Sequence, residues 1–248
     1  MKEFEDYTLD QFPMRDAFRS IKAVSELYAF GKMDNNDIYI NGDVLSKLEY
    51  PMNPAMLDHA AQRFENLYTT YMKDNGCKVY CSVIPDKNYV TADLSGHLKL
   101  DYTALVDYMR EKTSSYMEYI DIFPLLSLND YYRTDTHWRQ EQILPAAQVI
   151  ADRLGASLPE FTRGKIDRPF YGVYYGQAAL PMEPDTMYYL TNDILENCTV
   201  TIHDSGTTAQ VLDQTKLESK DLYDVFLSGG AAVLQIHNPA GTAGRELI

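Results

Sequence analysis

The 248-residue sequence predicts an α/β protein with a parallel central sheet. Helical and strand patterns alternate through residues 51–157, which is the order produced when helices connect parallel strands. The composition, with 45% hydrophobic and 23% charged residues, is that of a folded globular chain. A chain of this length can bury a core without disulfides or metal ions. We therefore expect a single domain over residues 1–248.

Residues 1–50 are predicted to form an N-terminal cap region. A helix over residues 16–30 is predicted by apolar residues at helical spacing, namely Phe18, Ile21, Val24 and Tyr28. A short strand is predicted at residues 38–40, because Asn41-Gly42 would end it in a turn.

Residues 51–157 are predicted to form the βα core. Asn53 can cap a helix whose first residue is Pro54, and Gly76 is a natural stop for it. Pro145 lies inside the last predicted helix and is expected to disturb its first turns. The predicted core elements are helices at residues 53–76, 101–113 and 143–154 and strands at residues 78–84 and 119–122.

Residues 158–248 contain short runs rich in Tyr, Val and Leu, separated by Gly and Asp. Such runs predict a β-rich segment with little helix, and we expect it to join the same sheet. The predicted strands are residues 170–175, 187–190, 199–203 and 231–237.

The charge balance argues against nucleic acid as the main partner. Lys and Arg total 22 and Asp and Glu total 36, so the net charge is −14, whereas phosphate binding needs a basic face. No run of 18 apolar residues is present, so the sequence predicts no membrane-spanning helix. Residues 1–6 lack the basic start and apolar run of a signal peptide.

The three cysteines are predicted to be free, buried thiols. Cys77 and Cys81 fall in a predicted strand, where four residues span about 13 Å, which is too far for a disulfide. No metal is predicted, because four of the five histidines, His59, His97, His203 and His237, show no ligand spacing. No cofactor is predicted either, because the sequence has no P-loop and no Gly-x-Gly-x-x-Gly.

Two polar clusters follow the predicted core strands, where sites form in open parallel sheets. Residues 85–88 follow the first strand and residues 131–139 follow the second. The second cluster contains Asp135 and His137, close enough in a loop for the carboxylate to orient the imidazole as a general base. The alternative is structural: Asp135 or Thr136 caps a helix, His137 packs, and Trp138 anchors the loop.

A nucleophile is harder to find in the sequence. Ser205 follows a predicted strand but reads as a turn serine, Ser82 is expected to be buried within a strand, and Ser228 is expected in a bend beside Gly229-Gly230. No Gly-x-Ser-x-Gly elbow is present.

The Asp135-Thr136-His137-Trp138 motif resembles that of the bacterial DHHW family, relatives of the SGNH-hydrolase-like proteins that acetylate alginate and similar exopolysaccharides. The resemblance runs through an ordered set of blocks along nearly the whole chain. The blocks are residues 4–7, 12–16, 84–89, 131–140, 175–177, 183–185 and 224–229.

The resemblance implies a three-layer, circularly permuted SGNH-like domain in which Asp135 orients His137 and His137 is the base. It places the family's serine on a strand that follows the equivalent of residues 245–248. The C-terminal strand and serine would therefore be missing here, and we expect this form to be inactive. An export or anchor segment would precede residue 1 in a full-length, cell-surface form.

The implied activity is acyl transfer, most simply of acetyl, or ester hydrolysis on cell-surface carbohydrate. A different reading keeps the fold as a non-catalytic polysaccharide-binding or scaffold module, and a third makes the chain an intracellular interaction protein. Lys87, Arg133 and Arg139 are candidates for binding anionic groups, with structural ion pairs as the alternative. Tyr132 and Trp138 are candidates for stacking on a sugar, with packing under the site as the alternative. Gln177 is a further substrate-binding candidate.

Overall fold

The structure, a computed structural model, describes residues 12–241 and residue 244. Two features of the sequence prediction lie outside these residues: the family block at residues 4–7 and the strand expected to begin at residues 245–248. Within the described part, the chain is a mixed helix and sheet protein.

The helices and strands occur in the following order along the chain. The α-helices are α1 (Arg15–Val24), α2 (Pro54–Leu67), α3 (Asn88–Ser95), α4 (Tyr102–Thr113), α5 (Leu144–Arg153), α6 (Val173–Ala178) and α7 (Asp193–Asn197). The strands are β1 (Ile38–Asn41), β2 (Val44–Lys47), β3 (Val79–Cys81), β4 (Met117–Tyr119), β5 (Thr162–Phe170), β6 (Asp185–Thr191), β7 (Thr199–Ile202), β8 (Thr207–Gln210) and β9 (Leu234–His237). Single π-helical turns, Ser25–Ala29 and Tyr68–Met72, continue α1 and α2, and short 3₁₀ segments lie at Lys73–Asn75, Phe123–Leu125, Leu128–Asp130, Gln214–Glu218 and Leu222–Val225.

The chain divides into two compact units that interleave along the sequence. Of the described residues, 12–47, 132–141 and those from 160 onward belong to the first unit, and residues 48–131 and 142–159 belong to the second. The loop at 132–141 therefore groups with the N-terminal and C-terminal segments of the chain.

The first unit contains antiparallel pairings only, among its described residues. Strands β1 and β2 form a hairpin, β5 pairs with β6, and β7 lies between β8 and β9. The expectation that the β-rich segment extends the parallel sheet is wrong for these strands. The β1–β2 and β7–β8 pairs are joined by short turns, which suffice for antiparallel neighbours, whereas parallel neighbours need a long crossover.

Two apolar cores stabilise the first unit. The first core joins α1, the β1–β2 hairpin and α6, and the second lies under the loop at 132–141. The first consists of Ala23, Ile38, Leu45, Tyr174, Ala178 and Leu180, and the second of Tyr132, Ile166, Phe170, Met187, Leu222 and Val225.

The second unit carries the predicted helix and strand alternation. Strands β3 and β4 are parallel, with Tyr80 opposite Glu118, and α3 and α4 lie between them in the chain. Asn53 caps α2 through the Met56 N–H, and Asp101 caps α4 through the Ala104 N–H, as the sequence predicts. Strand β3 has three residues and is shorter than predicted, and β4 lies earlier than predicted, sharing only Tyr119 with the strand expected at residues 119–122.

Several local predictions are corrected by the structure. Residues 173–178 form α6, although a strand was predicted at 170–175. Strand β2 and helix α3 had no sequence prediction. Pro145 lies in the first turn of α5, where its missing N–H has no helical partner to lose. Cys77 is exposed and Cys198 is buried, and all three thiols are free.

Candidate active site

Asp135 and His137 are in direct contact in the first unit. His137 Nδ1 lies 2.5 Å from Asp135 Oδ1. The carboxylate is almost fully buried, whereas the imidazole side chain is 46% exposed. A buried carboxylate bonded to Nδ1 leaves Nε2 as the ring nitrogen that can exchange a proton with a nucleophile.

Backbone hydrogen bonds hold the Asp135 carboxylate in place. Oδ1 also accepts the His137 N–H at 2.9 Å, and Oδ2 accepts the Val173 N–H at 2.7 Å. Burial alone would raise the pKa of Asp135, but the hydrogen bonds from His137 and Val173 outweigh burial and hold that pKa below its ordinary value. Asp135 is therefore an ionised, fixed acceptor for the imidazole.

Gly172 allows the backbone to pass directly against Asp135. A Cβ atom at Gly172 would lie 2.2 Å from the Asp135 Cβ, far inside van der Waals contact. The requirement for glycine is one of space and not of backbone conformation, because the Gly172 φ of −78° is accessible to any residue. The close approach lets the next N–H, that of Val173, reach the carboxylate.

Tyr223 stacks on the imidazole of His137. The ring centroids are 3.9 Å apart and the planes differ by 9°. Burial, with a smaller contribution from the charge of Asp135, raises the pKa of Tyr223 to about 12. The phenol is thus neutral at physiological pH, and its ring supports one face of the imidazole.

A second buried carboxylate, Asp185, lies at the start of β6. It accepts the backbone N–H of Arg133 at 2.9 Å and both the N–H and the hydroxyl of Thr134, at 2.8 and 2.6 Å. These bonds tie β6 to the loop that carries the Asp135–His137 pair. Sequence reasoning assigned no role to Asp185, Tyr223 or Gly172, although Asp185 falls within one of the family blocks.

The structural alternative for the loop is wrong in one respect. Neither Asp135 nor Thr136 caps the following helix, because α5 begins at Leu144 and its N-cap residue is Ile143. His137 does pack on one face, against Tyr223. Trp138 is half-buried in the same loop.

Two of the predicted basic residues are engaged in ion pairs. Arg133 bonds to Asp43 at 3.0 Å and lies 3.4 Å from Asp185. Arg139 bonds to Glu141 through Nε and Nη2, at 2.9 and 2.6 Å. Both arginines therefore form the ion pairs that the structural alternative predicts.

The other candidates occupy different positions. Tyr132 is fully buried with its ring edge-to-face with Phe170, and burial raises the pKa of its phenol. Gln177 lies exposed on α6. Lys87 belongs to the second unit, is fully buried, and precedes α3.

The serines of the described part do not complete a triad. Ser205 lies in the turn between β7 and β8, as predicted, and Ser228 lies in a turn with φ of 68°. Ser82 follows β3 and is exposed, whereas burial within a strand was expected. Across residues 12–241, no serine, threonine or cysteine side chain hydrogen-bonds to His137.

Residues 12–241 contain no group of three His, Cys, Asp or Glu side chains suited to a metal ion. A search of the same residues for a helix with the length and apolar character needed to cross a bilayer finds none.

Comparison with known proteins gives a fold likeness. A DHHW family protein from Eubacterium siraeum DSM 15702 superposes with a TM-score of 0.63 at 14% identity, covering 84% of this chain and 73% of that one. PatB1 of Bacillus cereus superposes with a TM-score of 0.61 at 16% identity, covering 82% of this chain and 75% of that one. The structure of PatB1 with a sulfonyl adduct superposes with a TM-score of 0.61 at 15% identity, covering 82% of this chain and 74% of that one. The chain shares the fold of these proteins, and no protein-family model and no curated protein matches it.

Proposed function

We propose that the chain is a DHHW family protein with an SGNH-like, circularly permuted fold, and that Asp135 and His137 are the orienting and base residues of acyl transfer. The observation that carries the proposal is the 2.5 Å contact between a buried, ionised Asp135 and the half-exposed imidazole of His137. The fold shared with a DHHW family protein and with PatB1 supports it.

The reaction would begin when His137 Nε2 removes the proton of a serine hydroxyl as that oxygen attacks an acyl ester. His137 then returns the proton to the leaving alkoxide, and the acyl group remains on the serine. In the second half, His137 deprotonates an acceptor hydroxyl or water, whose oxygen attacks the acyl-enzyme, and the imidazolium then returns the proton to the departing serine oxygen. The charged imidazole is stabilised by Asp135 in both halves.

The family resemblance places the attacking serine on a strand after the segment that corresponds to residues 245–248. A sulfonyl adduct has been seen on PatB1, and sulfonyl groups attach to activated nucleophiles of the kind that a histidine base produces. We infer acetyl as the acyl group and a carbohydrate hydroxyl of the cell surface as the acceptor, both from the same resemblance.

The test is hydrolysis of 4-nitrophenyl acetate by the gene product, including any residues encoded after Ile248. We expect His137→Ala to lower kcat by about 100-fold to 10,000-fold, the range of general base catalysis. His59→Ala, which changes an exposed histidine in the second unit, should leave the rate unchanged. Activity that survives His137→Ala would refute the mechanism.

A second candidate function is binding of polysaccharide without turnover. It is favoured by the lack of a nucleophile bonded to His137 within residues 12–241. Calorimetry with acetylated and deacetylated glycans separates the two functions. Tight binding with no release of acetate would support the binding module.

A further inference from the structure

Asp185 is a buried carboxylate whose acceptor sites are used by the loop before Asp135. The residue is 7% exposed. Its Oδ1 accepts the Arg133 N–H at 2.9 Å and lies 3.4 Å from Arg133 Nε, while Oδ2 accepts the Thr134 N–H at 2.8 Å and the Thr134 hydroxyl at 2.6 Å. A carboxylate accepts only, at about four lone-pair positions. The donors from Arg133 and Thr134 therefore occupy the lone-pair positions that the Asp185 carboxylate offers.

Thr134 extends this bonding to the second segment that holds Asp135. While its hydroxyl donates to Asp185, the same oxygen accepts the Gly172 N–H at 3.1 Å. The next N–H along that segment, that of Val173, donates to Asp135 Oδ2. Both backbone segments in contact with the Asp135 carboxylate are thus connected to Asp185 through Thr134.

The β5–β6 pairing fixes where Asp185 lies. Asp185 is paired with Phe170 in the sheet register, and Phe170 is fully buried in the second core. Since Gly172 follows Phe170 by two residues, one strand pair sets the position of both Asp185 and Gly172.

We propose that Asp185 is the positioning residue of the Asp135–His137 pair. Its carboxylate holds Thr134 and Gly172 so that Asp135 meets the imidazole and the Val173 N–H together. Within the described residues Asp185 hydrogen-bonds to neither member of the pair, so it acts through the loop. The catalytic consequence rests on the proposed function, whereas the geometric consequence does not.

An amide at this position cannot replace the carboxylate. In Asp185→Asn, one terminal atom becomes an NH₂ donor and faces either the Arg133 N–H or the Thr134 N–H, donor against donor. The loop must then shift, and a displacement of about 1 Å at a catalytic pair costs on the order of 100-fold in rate.

The test is proton NMR of the full chain, following the hydrogen-bonded Nδ1–H of His137, assigned by its loss in His137→Ala. We expect Asp185→Asn to broaden or abolish this resonance while the far-ultraviolet circular dichroism spectrum stays the same. The matched control is Asp213→Asn. Asp213 is a buried carboxylate that accepts the N–H and hydroxyl of Thr215 in the same way, and this variant should keep the resonance.

If Asp185→Asn does not fold, Thr134→Val and Thr134→Ser replace it in the experiment. Valine removes the hydroxyl at similar volume and should broaden the resonance, whereas serine retains the hydroxyl and should restore it. A sharp His137 resonance in folded Asp185→Asn, or in Thr134→Val, would overturn the positioning role.

Kinetics separates this inference from the proposed function. For the active gene product, we expect Asp185→Asn to lower kcat by about 100-fold with little change in KM, because substrate contacts remain. If the His137 resonance is present in the wild type and is lost in Asp185→Asn, but the wild type has no esterase activity, the proposed function fails and the positioning role stands. If His137→Ala abolishes activity but Asp185→Asn changes neither kcat nor the resonance, the positioning role fails alone.

Discussion

The phenol ring of Tyr223 lies flat against the imidazole of His137, with centroids 3.9 Å apart. The same tyrosine is edge-to-face with Phe226 at 5.1 Å, and it belongs to the segment whose Leu222 and Val225 enter the second core. Because the stacked ring is itself packed against this core, it restricts the orientation of the exposed imidazole. An aromatic face also attracts the positive charge that the imidazole acquires when it takes a proton.

We predict that Tyr223→Leu impairs the base and that Tyr223→Phe does not. Leucine removes the stacking surface, so the imidazole loses a contact worth about 0.5–1.5 kcal/mol and samples other orientations. The expected result is a fall of about tenfold in kcat, because each 1.4 kcal/mol corresponds to a factor of ten. Equal rates for the leucine and phenylalanine variants would show that stacking plays no part.

Alkaline titration gives a second prediction for Tyr223. Its pKa is raised to about 12 in the folded protein by burial, above the unfolded value of about 10. The stabilisation is fully present below pH ~10 and is lost as pH rises through the folded pKa. Wild type should therefore lose stability relative to Tyr223→Phe between about pH 10 and 12. Urea unfolding at several pH values measures the free energy of unfolding of both proteins. If this free energy changes with pH in the same way in both, the raised pKa of Tyr223 is contradicted.

Acid titration should reveal the ionised state of Asp135. Burial opposes ionisation, but the hydrogen bonds from His137 and Val173 lower the folded pKa of Asp135 below its unfolded value. The stabilisation is present above about pH 4 and is lost as pH falls through the folded pKa. In Asp135→Asn this part of the pH dependence should vanish. Urea unfolding from pH 7 to pH 2 compares the two proteins.

The control for that comparison is Asp213→Asn. The pKa of Asp213 is also lowered, against burial, by hydrogen bonds with Thr215 and Ser228. This variant should lose its own share of acid dependence and retain that of Asp135. If Asp135→Asn keeps the full wild-type acid dependence, Asp135 is not held in its ionised form.

The parts of the fold that could be predicted from sequence depend on local signals. Asn53 with Pro54, and Asp101, are capping residues whose hydrogen bonds close within a few positions. The proximity of Asp135 and His137 in the sequence is equally local, since side chains two residues apart in one loop come within reach of each other, whereas the Val173 N–H that fixes the carboxylate comes from a distant segment. This explains why the sequence contains enough information to predict their proximity.

The parts that could not be predicted depend on contacts between distant segments. The run at 170–175 has strand-forming residues, yet α6 begins at Val173, whose N–H bonds to Asp135. Asp185 reaches Thr134 only because β6 pairs with β5. Tertiary packing overrides the intrinsic strand preference of a segment. A local sequence pattern therefore predicts neither the start of α6 at Val173 nor the contact between Asp185 and Thr134.

Gly172 provides a steric test of the site. We predict that Gly172→Ala destabilises the protein by about 1–3 kcal/mol, the usual cost of overpacking, because the new methyl group would overlap Asp135. The displaced carboxylate should also lower kcat by about 100-fold. Thermal unfolding and the 4-nitrophenyl acetate assay measure the two effects.

The control for Gly172→Ala, which changes the N-cap residue of α6, is Gly176→Ala within α6. A Cβ at Gly176 meets no atom within 4 Å, and alanine is favoured over glycine within helices by about 0.5–1 kcal/mol. We expect Gly176→Ala to be neutral or stabilising with unchanged activity. If Gly172→Ala is tolerated as well as Gly176→Ala, the close approach to Asp135 does not constrain this position.

Mutation of the pair formed by Arg139 and Glu141 can distinguish a structural role for this arginine from a role in substrate binding. The Glu141 side chain is 2% exposed and bonds to Arg139 at 2.6 Å. Removing one partner of a buried pair costs about 3–5 kcal/mol, because the other charge is left uncompensated, whereas replacing both with apolar residues is often neutral. We therefore predict that Arg139→Leu unfolds readily and that adding Glu141→Leu restores stability. A double mutant that regains stability and wild-type KM assigns Arg139 to the fold, while restored stability with a KM raised tenfold or more would assign it to the substrate.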